Sequence, residues 1–160
     1  MHDKKRIPLL IFALIFLYLG KLYFFPSEFE TARAHLAGLS KLASFENVLA
    51  PLQMMNRLQS LKTAIAPDLL VDTSEYNFGQ KSYAFKDFEA LAPMYFKSLQ
   101  HIEVLTRDFK RVTGRQYQVV VIGRGATAEK SFDDAYMLLI TFDQEWKLAQ
   151  VKVLPPPKQL

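Results

Sequence analysis

The pattern of apolar positions changes character twice along this chain. From Ile7 to Phe25 the apolar residues are nearly continuous, IPLLIFALIFLYLGKLYFF, with Lys21 as the one charge. At ~1.5 Å per residue a helix over this stretch is roughly 28 Å long, close to the ~30 Å hydrocarbon thickness of a bilayer. Pro8 falls in its first turn, where a missing N–H costs little. Lys21 can extend to the headgroups between Tyr18 and Tyr23. The pattern predicts a transmembrane helix over 7–25, with residues 1–6 as a cytoplasmic tail held by Lys4, Lys5 and Arg6. A cleaved signal peptide is the alternative, with Ala32-Arg33-Ala34 as the site. That triplet lies well past the apolar run and beyond two glutamates, so a retained anchor is the reading favoured here.

Beyond Pro26 the period is helical. Ser27 and Glu30 have capping-box spacing, and a helix is expected from about Glu28 to Leu42. Phe29, Leu36 and Leu39 lie on one side of it, a face that could meet a partner or pack on the protein's own domain. Residues 26–46 are thus read as a juxtamembrane helix and linker. A second start falls at Asn47–Pro51. Met54, Leu58, Leu61 and Ile65 then follow at spacings of four, three and four, the stripe of an amphipathic helix, which Ala66-Pro67-Asp68 should end. Leu69–Val71 is a short apolar run, Asp72–Gly79 is turn-rich, and Asp87–Gln100 is helical again, with Pro93 inside it.

After His101 the pattern alternates with period two. Ile102–Val112, Gln116–Gly125, Phe132–Phe142 and Trp146–Leu154 are strand candidates, joined by connections short enough for antiparallel hairpins. Phe132, Asp134, Tyr136, Leu138, Ile140 and Phe142 fall on one face of the third. Pro155, Pro156 and Pro157 force an extended end, so residues 156–160 read as a tail. The expected fold class is α+β: helices packed on one curved antiparallel sheet over residues 47–155.

Composition narrows the chemistry. The chain has no Cys, so thiol catalysis, disulfides and Cys-based metal sites are excluded. Its three His residues are scattered, and no metal or cofactor is expected. Net charge is +4, half of it from the first six residues, too little for the concentrated basic face that nucleic acid requires. Gly123-Arg124-Gly125 lacks the following helix and Gly-Lys-Ser/Thr element of a phosphate loop and reads as a bend or bulge. Arg107, Lys110, Arg111 and Arg115 form a basic cluster on one hairpin, interrupted by Asp108. It reads as a solvated strand edge, with contact to anionic headgroups as the alternative.

The order of elements resembles the nuclear transport factor 2-like superfamily, a cone-shaped α+β fold. The residues that carry the likeness are Ala66–Asp72 after the helix, the Gly79 turn leading into helix Asp87–Gln100, and the closing hairpin Leu138–Leu148 with Trp146 opening the last strand. The resemblance implies either a catalytic cone of the isomerase, cyclase or dehydratase type or a non-catalytic binding module. A membrane helix before such a domain is also distantly like the inner-membrane scaffold components of type IV secretion systems. Type II assembly-platform proteins fit less well, since theirs repeats a helix-plus-two-strands unit.

In the first case the acid and base would come from Asp72, His101, Asp134 and Tyr136. Each of these also has an ordinary structural use, and no combination reproduces an isomerase's Tyr and paired-Asp arrangement. The expectation is therefore a non-catalytic scaffold subunit of an envelope complex, in a bacterial inner membrane with its domain outside the cytoplasm. It would contact the bilayer and other subunits, or a second copy of itself, through Leu14, Phe16 and Leu17, then Phe29, Leu36 and Leu39, then Pro155, Pro156 and Pro157. The alternative is an anchored small-molecule binder or isomerase/dehydratase-type enzyme using the cone pocket.

Overall fold

The computed structural model describes residues 26–74 and 80–155. The expected membrane helix, with Leu14, Phe16 and Leu17, lies outside these residues, as do Pro156 and Pro157. Among the described residues no helix is long and apolar enough to cross a membrane. The chain divides into two compact units, Met1–Thr31 and Ala32–Leu160, and the second holds the whole sheet.

Among the described residues, three helices and six strands occur in the order α1 (Glu28–Ala43), α2 (Pro51–Ala64), β1 (Ile65–Asp72), β2 (Gln80–Ala84), α3 (Phe85–Ser98), β3 (Leu99–Thr113), β4 (Gln116–Thr127), β5 (Ser131–Phe142) and β6 (Leu148–Leu154). At the start of α1, the Ser27 N–H donates to Glu30 Oε2 at 3.1 Å and the Glu30 N–H donates to Ser27 Oγ at 3.2 Å, the expected reciprocal cap. Pro51 opens α2, where its fixed φ suits the first turn. Pro93 is accommodated inside α3.

The sheet order is β2-β1-β6-β5-β4-β3. The meander β3-β4-β5-β6 is antiparallel, as its short connections require, but the sheet is mixed: β1 runs parallel to β6 and antiparallel to β2. This corrects the all-antiparallel expectation. Helix α2 ends at Ala64, and strand β1 then continues through Pro67, with a register shift against β6 between Ile65 and Leu70. The last strand begins at Leu148 rather than Trp146, which sits in the preceding turn at φ 63°. Gly123-Arg124-Gly125 is no bend, since β4 continues through it to Thr127. Register shifts in β3, one of them at Asp108 with φ 53°, mark the bulges by which such a strand bends.

Strand β5 pairs with β4 without a register shift, so its even-numbered residues share one face. Phe132 on that face packs against a cluster of Phe45, Met54 of α2, Phe96 of α3, Leu99 and Ile102. Phe142, at the other end of the same face, meets the ring of His35 on α1 at 6.3 Å. This is therefore the face the helices cover. Tyr117, Val119 and Ile140, the most deeply buried large side chains among the described residues, lie on it as well. Leu36, expected at a partner surface, is buried within the domain, while Leu39 is half-buried.

A side chain invisible to periodicity fixes the join between α1 and α2. The guanidinium of Arg57 donates to the carbonyls of Lys41, Leu42 and Ser44. These are orphan acceptors at the C-terminal end of α1, and Arg57 satisfies them while lying 6.0 Å from the Phe45 ring centroid. Phe45 then exchanges two backbone hydrogen bonds with Ile102, and the Val104 N–H donates to Ser44 Oγ. The edge strand β3 is partly covered there.

Candidate active site

The sheet register separates the four candidate residues into two pairs. Asp72 lies opposite Lys152, which lies opposite Leu139. Asp72 is thus on the face away from the helices. Its carboxylate accepts from the Ser74 N–H at 3.0 Å and from the Ser74 hydroxyl, with the Lys152 ammonium at 3.8 Å. The two Ser74 bonds, followed by the Lys152 charge, hold its pKa below the ordinary carboxylate value against the opposing effect of desolvation. An acid so fully engaged is a structural brace. His101 is exposed and aligns through Ala126 with Ser131, again on the outer face. Neither lies on the helix-covered face, so the register parts both from Asp134 and Tyr136.

Asp134 and Tyr136 are placed differently. Both lie on the helix-covered face between Phe132, which is packed into the core, and Leu138. Both are nevertheless exposed, Tyr136 to 47%. Two residues apart on one strand, their Cα atoms are ~6.5–7 Å from each other, a span a small molecule can bridge. Cross-strand from Asp134 is Gly123, and from Tyr136 is Val121. Val104 and Thr106 continue the same rows on β3. A Cβ built on Gly123 would meet nothing within 4 Å, so the space beside the Asp134 carboxylate is open.

Gly125, two residues on, contrasts with it. A Cβ there would come within 2.6 Å of the His101 carbonyl and 2.8 Å of the Phe132 ring. The alternation of the Gly123-Arg124-Gly125 triplet thus serves two purposes: Gly125 permits close packing, whereas Gly123 leaves a gap. Arg124, between them on the outer face, pairs with Asp133 at 3.1 Å, an exposed bridge of little energetic weight.

A cleft of about 960 Å³ runs along the β3 edge, between the end of α1, the 44–49 loop and α2, and Val104 and Thr106 are among the residues that line it. Its walls include His101, Glu103, Gln53 and Arg57 but neither Asp134 nor Tyr136. Arg57, on its wall, is already committed to the carbonyls of Lys41, Leu42 and Ser44.

Solved structures of other proteins share this topology. A protein from Acidithiobacillus ferrooxidans assigned as a polyketide cyclase matches with TM-score 0.56 at 9% identity, over 81% of this chain and 89% of its own. An NTF2-like protein of unknown function from Exiguobacterium sp. 255-15 matches with TM-score 0.52 at 12% identity, over 65% of this chain and 86% of its own. The fold is nuclear transport factor 2-like. A third neighbour with this fold, TerC co-crystallised with polyporic acid, matches with TM-score 0.50 at 15% identity, over 81% of this chain and 92% of its own. No family model and no curated protein matches the sequence.

These neighbours overturn the expectation of a non-catalytic scaffold. The nuclear transport factor 2-like structures named here include a protein assigned as a polyketide cyclase and one co-crystallised with polyporic acid. Sequence reasoning names Asp134 and Tyr136 but weighs them equally with Asp72 and His101. It misses Gly123 as a site residue, whose one signal is a glycine inside a strand, which suggests a close approach or a gap.

Proposed function

We propose that this protein binds a small, largely apolar carbonyl compound on the helix-covered face of its sheet and acts on it by general acid–base chemistry. The observation that carries this reading is the shared placement of Asp134 and Tyr136, a carboxylate and a phenol exposed on an otherwise apolar face, beside the gap at Gly123. Val121 and Leu138 offer a surface for a hydrocarbon skeleton, as ligand sites usually do. The Asp134 carboxylate would take a proton from the carbon next to the carbonyl. The Tyr136 O–H would donate to the carbonyl oxygen as negative charge develops there. Proton removal at such a carbon is the first step common to double-bond isomerisation, aldol-type ring closure and dehydration. The site is further proposed to be tethered at the outer surface of a bacterial inner membrane by Ile7–Phe25, as the sequence pattern suggests.

The test is a β,γ-unsaturated cyclic ketone as probe, with conjugation followed by ultraviolet absorbance. The wild-type chain should accelerate the shift, and Asp134→Asn should reduce that rate by about 10²–10⁴-fold. Tyr136→Phe should reduce it less while leaving the thermal midpoint unchanged. Equal rates in wild type and Asp134→Asn would remove Asp134 as the base.

A further inference from the structure

We propose that the outer face of the sheet, away from the helices, is the surface on which a second copy of this chain docks about a two-fold axis. Three observations support it. The first is the side-chain pattern. Carried across the strands, the register sets Leu105, Ile122 and Ala135 in one row of that face. Val120, Met137 and Leu154 form the next row, which Arg107 continues onto β3. An antiparallel sheet face that meets water alternates to polar residues, yet these adjoining rows hold six apolar side chains and a single charge. Ala135 is exposed and the other five are half-buried by their own neighbours, because all three helices lie on the other face.

The second observation is charge, and it identifies the occupant. Glu103 stands one row beyond Leu105, at one end of the apolar strip, and Lys110 stands one row beyond Arg107, at the other. Two nearby pairs are satisfied within the chain, Arg124 with Asp133 at 3.1 Å and Lys152 with Asp72 at 3.8 Å. Glu103 and Lys110 are exposed and have no ion-pair partner among the described residues. Consider a two-fold axis in the plane of contact, running across the strands midway between the two apolar rows. It lays each apolar row on the other and brings Glu103 of each copy over Lys110 of the other, with Arg107 beside them. Facing sheets stand about 10 Å apart, a gap that a Glu and a Lys side chain span together. A surface with an acid and a base at equal distances from its own apolar centre fits itself, as an isologous contact demands.

The third is size. Four strands by four rows make a patch of roughly 19 by 27 Å, so two copies bury on the order of 1,000 Å² between them, the scale at which specific association begins. Asp134 and Tyr136 lie on the opposite face of the sheet, so pairing leaves them uncovered in both copies.

The test is the mass of the full chain in a mild detergent, read by sedimentation equilibrium in density-matched buffer at micromolar concentration. The wild type should sediment at twice the 18.4 kDa of one chain. Ile122→Glu, which puts a charge at the centre of the strip, should sediment as a monomer. Glu103→Lys and Lys110→Glu, both at exposed positions, should each weaken dimerisation about tenfold or more, because like charges then meet twice across the contact. Mixed in equal amounts, these two variants should recover it as a heterodimer, in which each contact joins a lysine of one chain to a glutamate of the other. The charge variants carry the test if Ile122→Glu does not fold. A monomeric wild type would overturn the proposal, as would a dimer that Ile122→Glu leaves intact. A dimer that neither charge swap weakens, or that the mixture does not restore, would overturn the two-fold arrangement.

Discussion

Two stretches of the helix-covered face, barely three residues apart along β5, make opposite use of their surroundings. Around Ile140 and Phe142 the large groups Tyr117, Ile140 and Phe142 are enclosed. Tyr117 stacks on Phe109 at 4.8 Å and meets Phe142 edge-on at 6.1 Å, and nearby Arg115 is committed to a carbonyl and a ring. Around Asp134 and Tyr136 the same face is open: both side chains are exposed, and a Cβ on the cross-strand Gly123 would meet nothing within 4 Å. The same alternating strand thus supplies both the packing that stabilises the fold and the gap that can receive a ligand. Damage to the first should cost stability, and damage to the second should cost activity alone.

The largest effect should come from the enclosed end. Ile140→Ala removes a side chain only 2% exposed and should cost about 2–5 kcal/mol in urea unfolding, with probe binding recovered wherever the protein stays folded. Gly125→Ala should rank next at about 1–3 kcal/mol, because the new Cβ overlaps a backbone carbonyl that cannot move aside cheaply. Gly123→Val sharpens the contrast. It should leave the unfolding midpoint unchanged or raised, since valine suits a strand, while abolishing turnover of the ketone probe by filling the gap. If Gly123→Val unfolds the protein instead, the open space beside Asp134 is not there.

Arg57→Ala should cost roughly 1–3 kcal/mol by stranding the carbonyls at the end of α1, with no change in the rate per folded molecule. The smallest effect is a pH dependence. Because the folded pKa of Asp72 is depressed, its contribution is present above the unfolded carboxylate value and is lost as pH falls through the folded one. Asp72→Asn should therefore flatten the decline in stability below pH ~4 and leave the stability curve near neutrality close to parallel with wild type. An unchanged acid limb would show that Ser74 and Lys152 do not hold the charge.

The long strands were legible because each alternates over many residues, and their short connections dictated antiparallel pairing. The strand β1 was not. Only Leu69–Val71 reads as a strand locally, and its pairing with β6 depends on residues some eighty positions away. Periodicity could not place Arg57 at a helix end or Trp146 at positive φ, because each depends on a tertiary partner. The candidate site was half legible. Asp134 and Tyr136 were correctly put on one face, but Asp72 and Asp134 both look like acids near strand ends. Only the register carried through β6 shows that they lie on opposite sides of the sheet.

The parallel pairing of β1 with β6 also has a consequence for how the protein is made. Its earliest strand, Ile65–Asp72, can find this neighbour only after Leu148–Leu154 has been synthesised. During translation the β1 edge must wait unpaired on that side while the hairpins form behind it, an arrangement of high contact order. Completion of the sheet therefore waits for β6, and a chain truncated before residue 148 should emerge as an aggregation-prone fragment.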